Sequence, residues 1–173
     1  MRPTEPLPLY HSWPLYDLHV HLGPVTIDHR VARSDQALAE RGIGLWHCDL
    51  QNERLSWTGG VYDLFGLDRD MSVSRPLAVS LYAPDSREAM ERLRAYAIRY
   101  RRGFTLDVEI RPLDGDERTM RLIAAPILHG DQVVALHGIK QLLRPGSAFS
   151  ERRDPTLLPF HGHRTGPGEE GCG

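Results

Sequence analysis

Residues 104–110 read FTLDVEI, and the parity of these seven residues decides how the C-terminal half of the chain folds. Phe104, Leu106, Val108 and Ile110 alternate with Thr105, Asp107 and Glu109. Successive side chains of a strand point to opposite faces, so this pattern specifies a strand with one buried and one wet face. Asp114-Gly115 then turns the chain, Arg118 to Leu128 runs back, His129-Gly130-Asp131 turns it again, and Gln132 to Leu143 returns. The three strands form an antiparallel meander.

Upstream, the apolar period changes from 2 to 3.6. Ala89, Leu93, Tyr96, Ala97 and Tyr100 form one stripe of a helix that starts at Asp85, where Glu88 completes a capping box, and that stops by Gly103. Glu88 and Arg92 pair on its outer side. Further back, Ile43 to Leu50 and Arg54 to Thr58 read as two short strands of a hairpin, followed by a short helix in VYDLFGL before Gly66 and loose segments to Tyr82. Thr26 to Arg41 reads as a flanking helix with a thin stripe of Ile27, Val31, Ser34 and Leu38, ended by Gly42. This order predicts an α+β fold, a five-stranded antiparallel sheet with helices on one face. Residues 42–143 form the domain. Five prolines between Pro3 and Pro24 predict an extended arm over residues 1–25, and the Pro-, Gly- and His-rich residues 144–173 a flexible tail.

The chain has 173 residues, a formal net charge of −2 and 40% hydrophobic residues. Such a balance gives no basic surface for nucleic acid. Only one lysine, Lys140, stands among the basic residues, and two cysteines, Cys48 and Cys172, are too few for a disulfide framework. With no apolar run of membrane length and prolines interrupting the N-terminus, a cytoplasmic protein without membrane insertion is expected.

Particular residues add a resemblance. GIGLWHCDL with Trp46 and Asp49, RLSWT followed by VYDLFGL, APDSR before the long helix, LDGDERTM and the HGI of the last strand resemble, in this order, the PAS domain, specifically its bacterial subfamily with a Trp-Asp opening strand. The match spans Gly42 to Leu143. Where such domains end in Asp-Ile-Thr, this chain has Leu142, Leu143 and Arg144, and Pro145-Gly146 then blocks an output helix. Cys48, Ala83 and Thr119 also depart from the family's usual Trp, His and Trp.

The resemblance implies a cavity between sheet and helices. Its expected lining is Phe65, Met90, Tyr96, Leu106 and Leu122, with His137 a further ligand candidate. No cofactor is expected: residues 86–102 lack the His that holds haem in the oxygen-sensing branch, and the only core cysteine, Cys48, lies in the first strand rather than in a flavin-binding run. Cys48 and His47 are strand neighbours and point to opposite faces, so no thiolate pair is expected. Asp17, His19 and His21 in DLHVHLG alternate as zinc ligands on a strand would, and resemble the entry strand of the amidohydrolases. That family's barrel typically needs about 250 residues. The motif is therefore expected to be structural, with Leu18, Val20 and Leu22 on one side and the histidines on the other, and no catalytic or metal site is expected. The reading that results is a stand-alone, non-enzymatic signalling or adaptor module. Its expected partners are sensor histidine kinases or other PAS-containing regulators, and it is expected to form a homodimer through Ile27, Val31 and Leu38. The alternatives are a sensor of a small molecule held in the cavity and a metal-dependent hydrolase using the His-x-His arm.

Overall fold

A computed structural model describes residues 11–26 and 34–144, with side chains placed for all of these but 24–26. Strand β1 (Ser12–Pro14) leads through a single 3-10 turn into helix α1 (Leu18–Thr26). Helix α2 (Asp35–Glu40), strands β2 (Ile43–Asp49) and β3 (Leu55–Trp57), and helices α3 (Gly59–Phe65), α4 (Arg75–Ser80) and α5 (Pro84–Tyr100) follow. Strands β4 (Arg102–Ile110), β5 (Arg118–His129) and β6 (Gln132–Leu143) complete one antiparallel sheet of order β1-β4-β5-β6-β2-β3.

The meander forms as its parity dictates. Phe104, Leu106, Val108 and Ile110 are buried and Leu106 pairs with Leu122, which carries the same inward parity into β5. Leu122 pairs in turn with Lys140 of β6, and Lys140 with Gly44 of β2. The inner face packs under α3, α4 and α5, around Val61, Phe65, Tyr82 and Leu93. Burying apolar side chains of this size contributes about 1.5–3 kcal/mol each. Asp63 O and Leu64 O, near the end of α3, accept from Arg118 Nη1 at 2.8 and 2.9 Å, while Gly66 takes the left-handed conformation (φ 63°) that ends the helix.

Several expectations change. The sheet has six strands rather than five, because Ser12–Pro14 pairs with Arg102–Phe104 at its edge. The long helix starts at Pro84, whose missing N–H costs nothing in the first turn, with Ala83 rather than Asp85 at the cap. It ends at Arg101 in the left-handed region (φ 55°), and Tyr100 is 51% exposed instead of part of the buried stripe. Most consequentially, residues 18–26 are helical, not extended. Of the predicted flanking helix, Asp35–Glu40 is helical with Ser34 capping Ala37 N, and residues 27–33, with Ile27 and Val31, lie outside the described residues. Leu38 is 1% exposed and packs within the fold, so it offers no surface for a dimer.

Candidate functional site

Inner and outer faces of the sheet hold different sites. On the inner face a cavity of about 60 Å³ lies between β2, β3, β6 and the helices, with Lys140 at its floor. Period 2 along β6 places Leu136, Lys140 and Leu142 inward, so the only lysine of the chain lies in an apolar layer and is 6% exposed. Its Nζ is 2.7 Å from Tyr82 Oη. It also lies 4.9 Å from the ring centre of Phe65, 5.3 Å from that of Tyr82, 5.5 Å from Trp46 and 5.6 Å from Trp57. Each ring face within about 6 Å attracts a cation. Burial acts the other way, bringing the lysine down to about 7. Tyr82 is pushed well above the ordinary phenol range, by burial first and then by the charge of Glu91.

The cavity mouth is charged. Arg75 and Arg94 line it and turn their guanidinium groups to acids: Arg75 to Glu91, and Arg94 to Glu53 at 3.3 Å. Glu53 lies in the hairpin between β2 and β3 with φ 55°, a conformation uncommon for a residue with a Cβ. Cys48 is inward and buried while His47 faces the other way, and burial pushes its thiol up, away from thiolate chemistry. Trp46 Nε1 is buried with no hydrogen-bond partner among the described residues.

Of the residues expected around the cavity, Met90 and Leu122 line it. Phe65 supplies one face of the lysine's aromatic surround, and Leu106 is buried in the same core. Tyr96 is half-buried and packs on Tyr100, with ring centres 4.5 Å apart, rather than on the cavity. His137 lies on the opposite face of the sheet, paired with His47, because its parity is that of Ile139 and not of Lys140. Burial lowers its pKa and the neighbouring His47 adds to this. Sequence reasoning missed Lys140, although its inward parity beside Leu122 was readable from the meander.

The outer face carries an open groove of about 670 Å³ between α1 and strands β2, β3 and β6, lined by Leu18, Leu22, Leu45, His47, His137 and Ile139. His21 does not meet His19 for a metal. It stacks on Trp13, with ring centres 4.1 Å apart and planes 7° from parallel, and burial lowers its pKa against the opposing charge of Asp17. Among the described residues no group of three or more His, Cys, Asp or Glu is placed to hold a metal ion. The inner cavity, far below the ~300–1,000 Å³ of pockets for drug-sized ligands, does not fit a flavin or haem.

No protein-family model matches the sequence, and no curated protein matches it. Solved structures do match the fold. The PAS domain of a protein from Colwellia psychrerythraea aligns with a TM-score of 0.52 and 19% identity, over 66% of this chain and 97% of that one. The N-terminal domain of a diguanylate cyclase with PAS/PAC sensor from Marinobacter aquaeolei gives 0.52 and 15%, over 57% and 92%. An RNA-binding light-oxygen-voltage receptor gives 0.53 and 14% over 61% of this chain, which spans 32% of the receptor. With an antiparallel sheet in which β2 pairs with β6, helices stacked on its inner face and a cavity between the layers, the fold of this chain from β2 to β6 is that of a PAS domain.

Proposed function

We infer that the chain is a non-enzymatic sensory module whose inner cavity takes a small molecule and whose output is contact with another protein. The observation that carries this reading is Lys140: a lysine 6% exposed, at the floor of a cavity, with no carboxylate at ion-pair distance among the described residues. Isolated buried charge is costly, and a residue filling a core for packing alone is not a lysine. The output surface is the outer sheet face, where the groove beside α1 exposes apolar wall next to His47 and His137. Sensor histidine kinases and other PAS-containing regulators are the partner class, in keeping with structural relatives that are themselves parts of a sensor or a receptor. Affinity purification with mass spectrometry tests the output: a regulator of this class should be recovered with the wild type and lost when the groove residues Leu18 and Leu45, neither of them buried, are replaced by Asp. Equal recovery from both would rule out the groove as the contact.

A further inference from the structure

Around Lys140 the donors outnumber the acceptors. The ammonium offers three N–H bonds, of which Tyr82 Oη takes one. At 4.9–5.6 Å lie ring faces, which attract the charge but are not conventional acceptors, and the Cys48 thiol, a weak acceptor, lines the same cavity. Trp46, whose ring centre is 5.5 Å from Nζ, adds a buried N–H that has no acceptor among the described residues. The guanidinium groups of Arg75 and Arg94 stand at the mouth. The two acids nearby, Glu53 and Glu91, are engaged by these arginines and do not reach the lysine. What such a wall lacks is an acceptor that donates nothing and carries negative charge. The space of about 60 Å³ limits it to a handful of non-hydrogen atoms.

We propose that the inner cavity binds a short-chain carboxylate, one oxygen accepting from Lys140 and the other from Trp46 Nε1–H, with the short apolar tail against Met90 and Leu122. This assignment rests on the sensory reading above and names the ligand class of its cavity. Thermal unfolding of the full chain tests it with sodium acetate as probe, against acetamide, which has the same shape without charge, and against sodium chloride at matched ionic strength. Acetate should raise Tm saturably, by about 2 °C or more, and acetamide and chloride should not. Trp46→Phe keeps the ring and loses the donor, and should weaken acetate binding by about 5- to 10-fold. Lys140→Met should abolish the response. The three probes on the wild-type chain decide the matter even where that variant does not fold. An equal shift with acetamide or chloride, no shift with acetate, or an undiminished response in Lys140→Met overturns the carboxylate. A neutral molecule found by native mass spectrometry on the gently purified protein would do so too, and would leave the sensory reading in place.

Discussion

Lys140 sets two opposing physical effects against each other at one atom. Burial disfavours its charge, while four aromatic faces and the Tyr82 hydroxyl favour it. With its pKa brought to about 7 in the folded chain, the unfolded chain binds more protons than the folded one from there up to the ordinary lysine range. Stability therefore rises as pH increases through that window, and the penalty is fully present below it. The total is at most about 5 kcal/mol, less what the rings return. Chemical denaturation of wild type and Lys140→Met between pH 6.5 and 9.5 should show the wild type gaining on the variant as pH rises; parallel curves would mean that the lysine keeps an ordinary pKa. Arg118 is a second residue with a distinct task. It donates to Asp63 O, Leu64 O and Asp114 Oδ1, joining the β4–β5 hairpin to the end of α3. Arg118→Ala should cost about 1–3 kcal/mol in the same measurement, because it leaves helix-end carbonyls without their donor.

Among elements, α1 is where sequence and structure part. DLHVHLG alternates like a strand, and Leu18, Val20 and Leu22 at period 2 supported that reading. As a helix the same residues diverge by about 200° between i and i+2, so His19 and His21 do not chelate. Instead His21 stacks on Trp13, and Leu22 joins Trp13, Ala125 and Ile139 in a cluster on the outer face. Equimolar zinc at neutral pH should leave Tm unchanged in the wild type, and the His19→Ala, His21→Ala double variant should respond no differently. A stoichiometric rise that depends on both histidines would restore the metal reading. The helical outcome was not legible because it depends on tertiary context: Trp13 lies across Gly103, ninety residues away in sequence, where a Cβ would come 2.2 Å from the indole. Gly103→Ala should therefore dislodge β1 and α1, seen as faster proteolysis near residue 20 with the rest of the domain intact. By contrast the facing of β4 was legible almost to the residue, since strict alternation with one buried face leaves only one register of facing, while the bounds of β5 and β6 followed from the turns at Asp114-Gly115 and His129-Gly130-Asp131. The same parity rule, extended to Lys140, places it at the cavity floor and puts His137 on the other face of the sheet.

At the scale of the whole molecule, the PAS-type order of elements was readable because each piece agreed with its neighbours, from the Asp114-Gly115 turn to the left-handed Gly66 after Phe65. The sixth strand was not, because three residues with a proline among them carry no local strand signal. That small strand has a consequence for how the molecule meets others. A long edge strand such as β4 ordinarily invites a foreign strand to add to the sheet. Here β1 pairs with Arg102–Phe104, His11 Nδ1 sits 3.0 Å from Thr105 O, and the segment around Tyr82 bonds the far end through Glu109 O and Arg111 N. Only about three residues in the middle of β4 are left open, and β3, at the opposite edge, is itself three residues long. Among the described residues the covered β4 and the short β3 leave little edge for strand addition, and the faces of the sheet are the larger surfaces for recognition. Removing residues 1–17 should expose the β4 edge while leaving the helical layer and the cavity in place. Light scattering should then show soluble oligomers or aggregates where the full chain shows none of that kind, and a truncated chain that stays in the full chain's association state would show that the charges of Asp107 and Glu109 guard the edge without the cover.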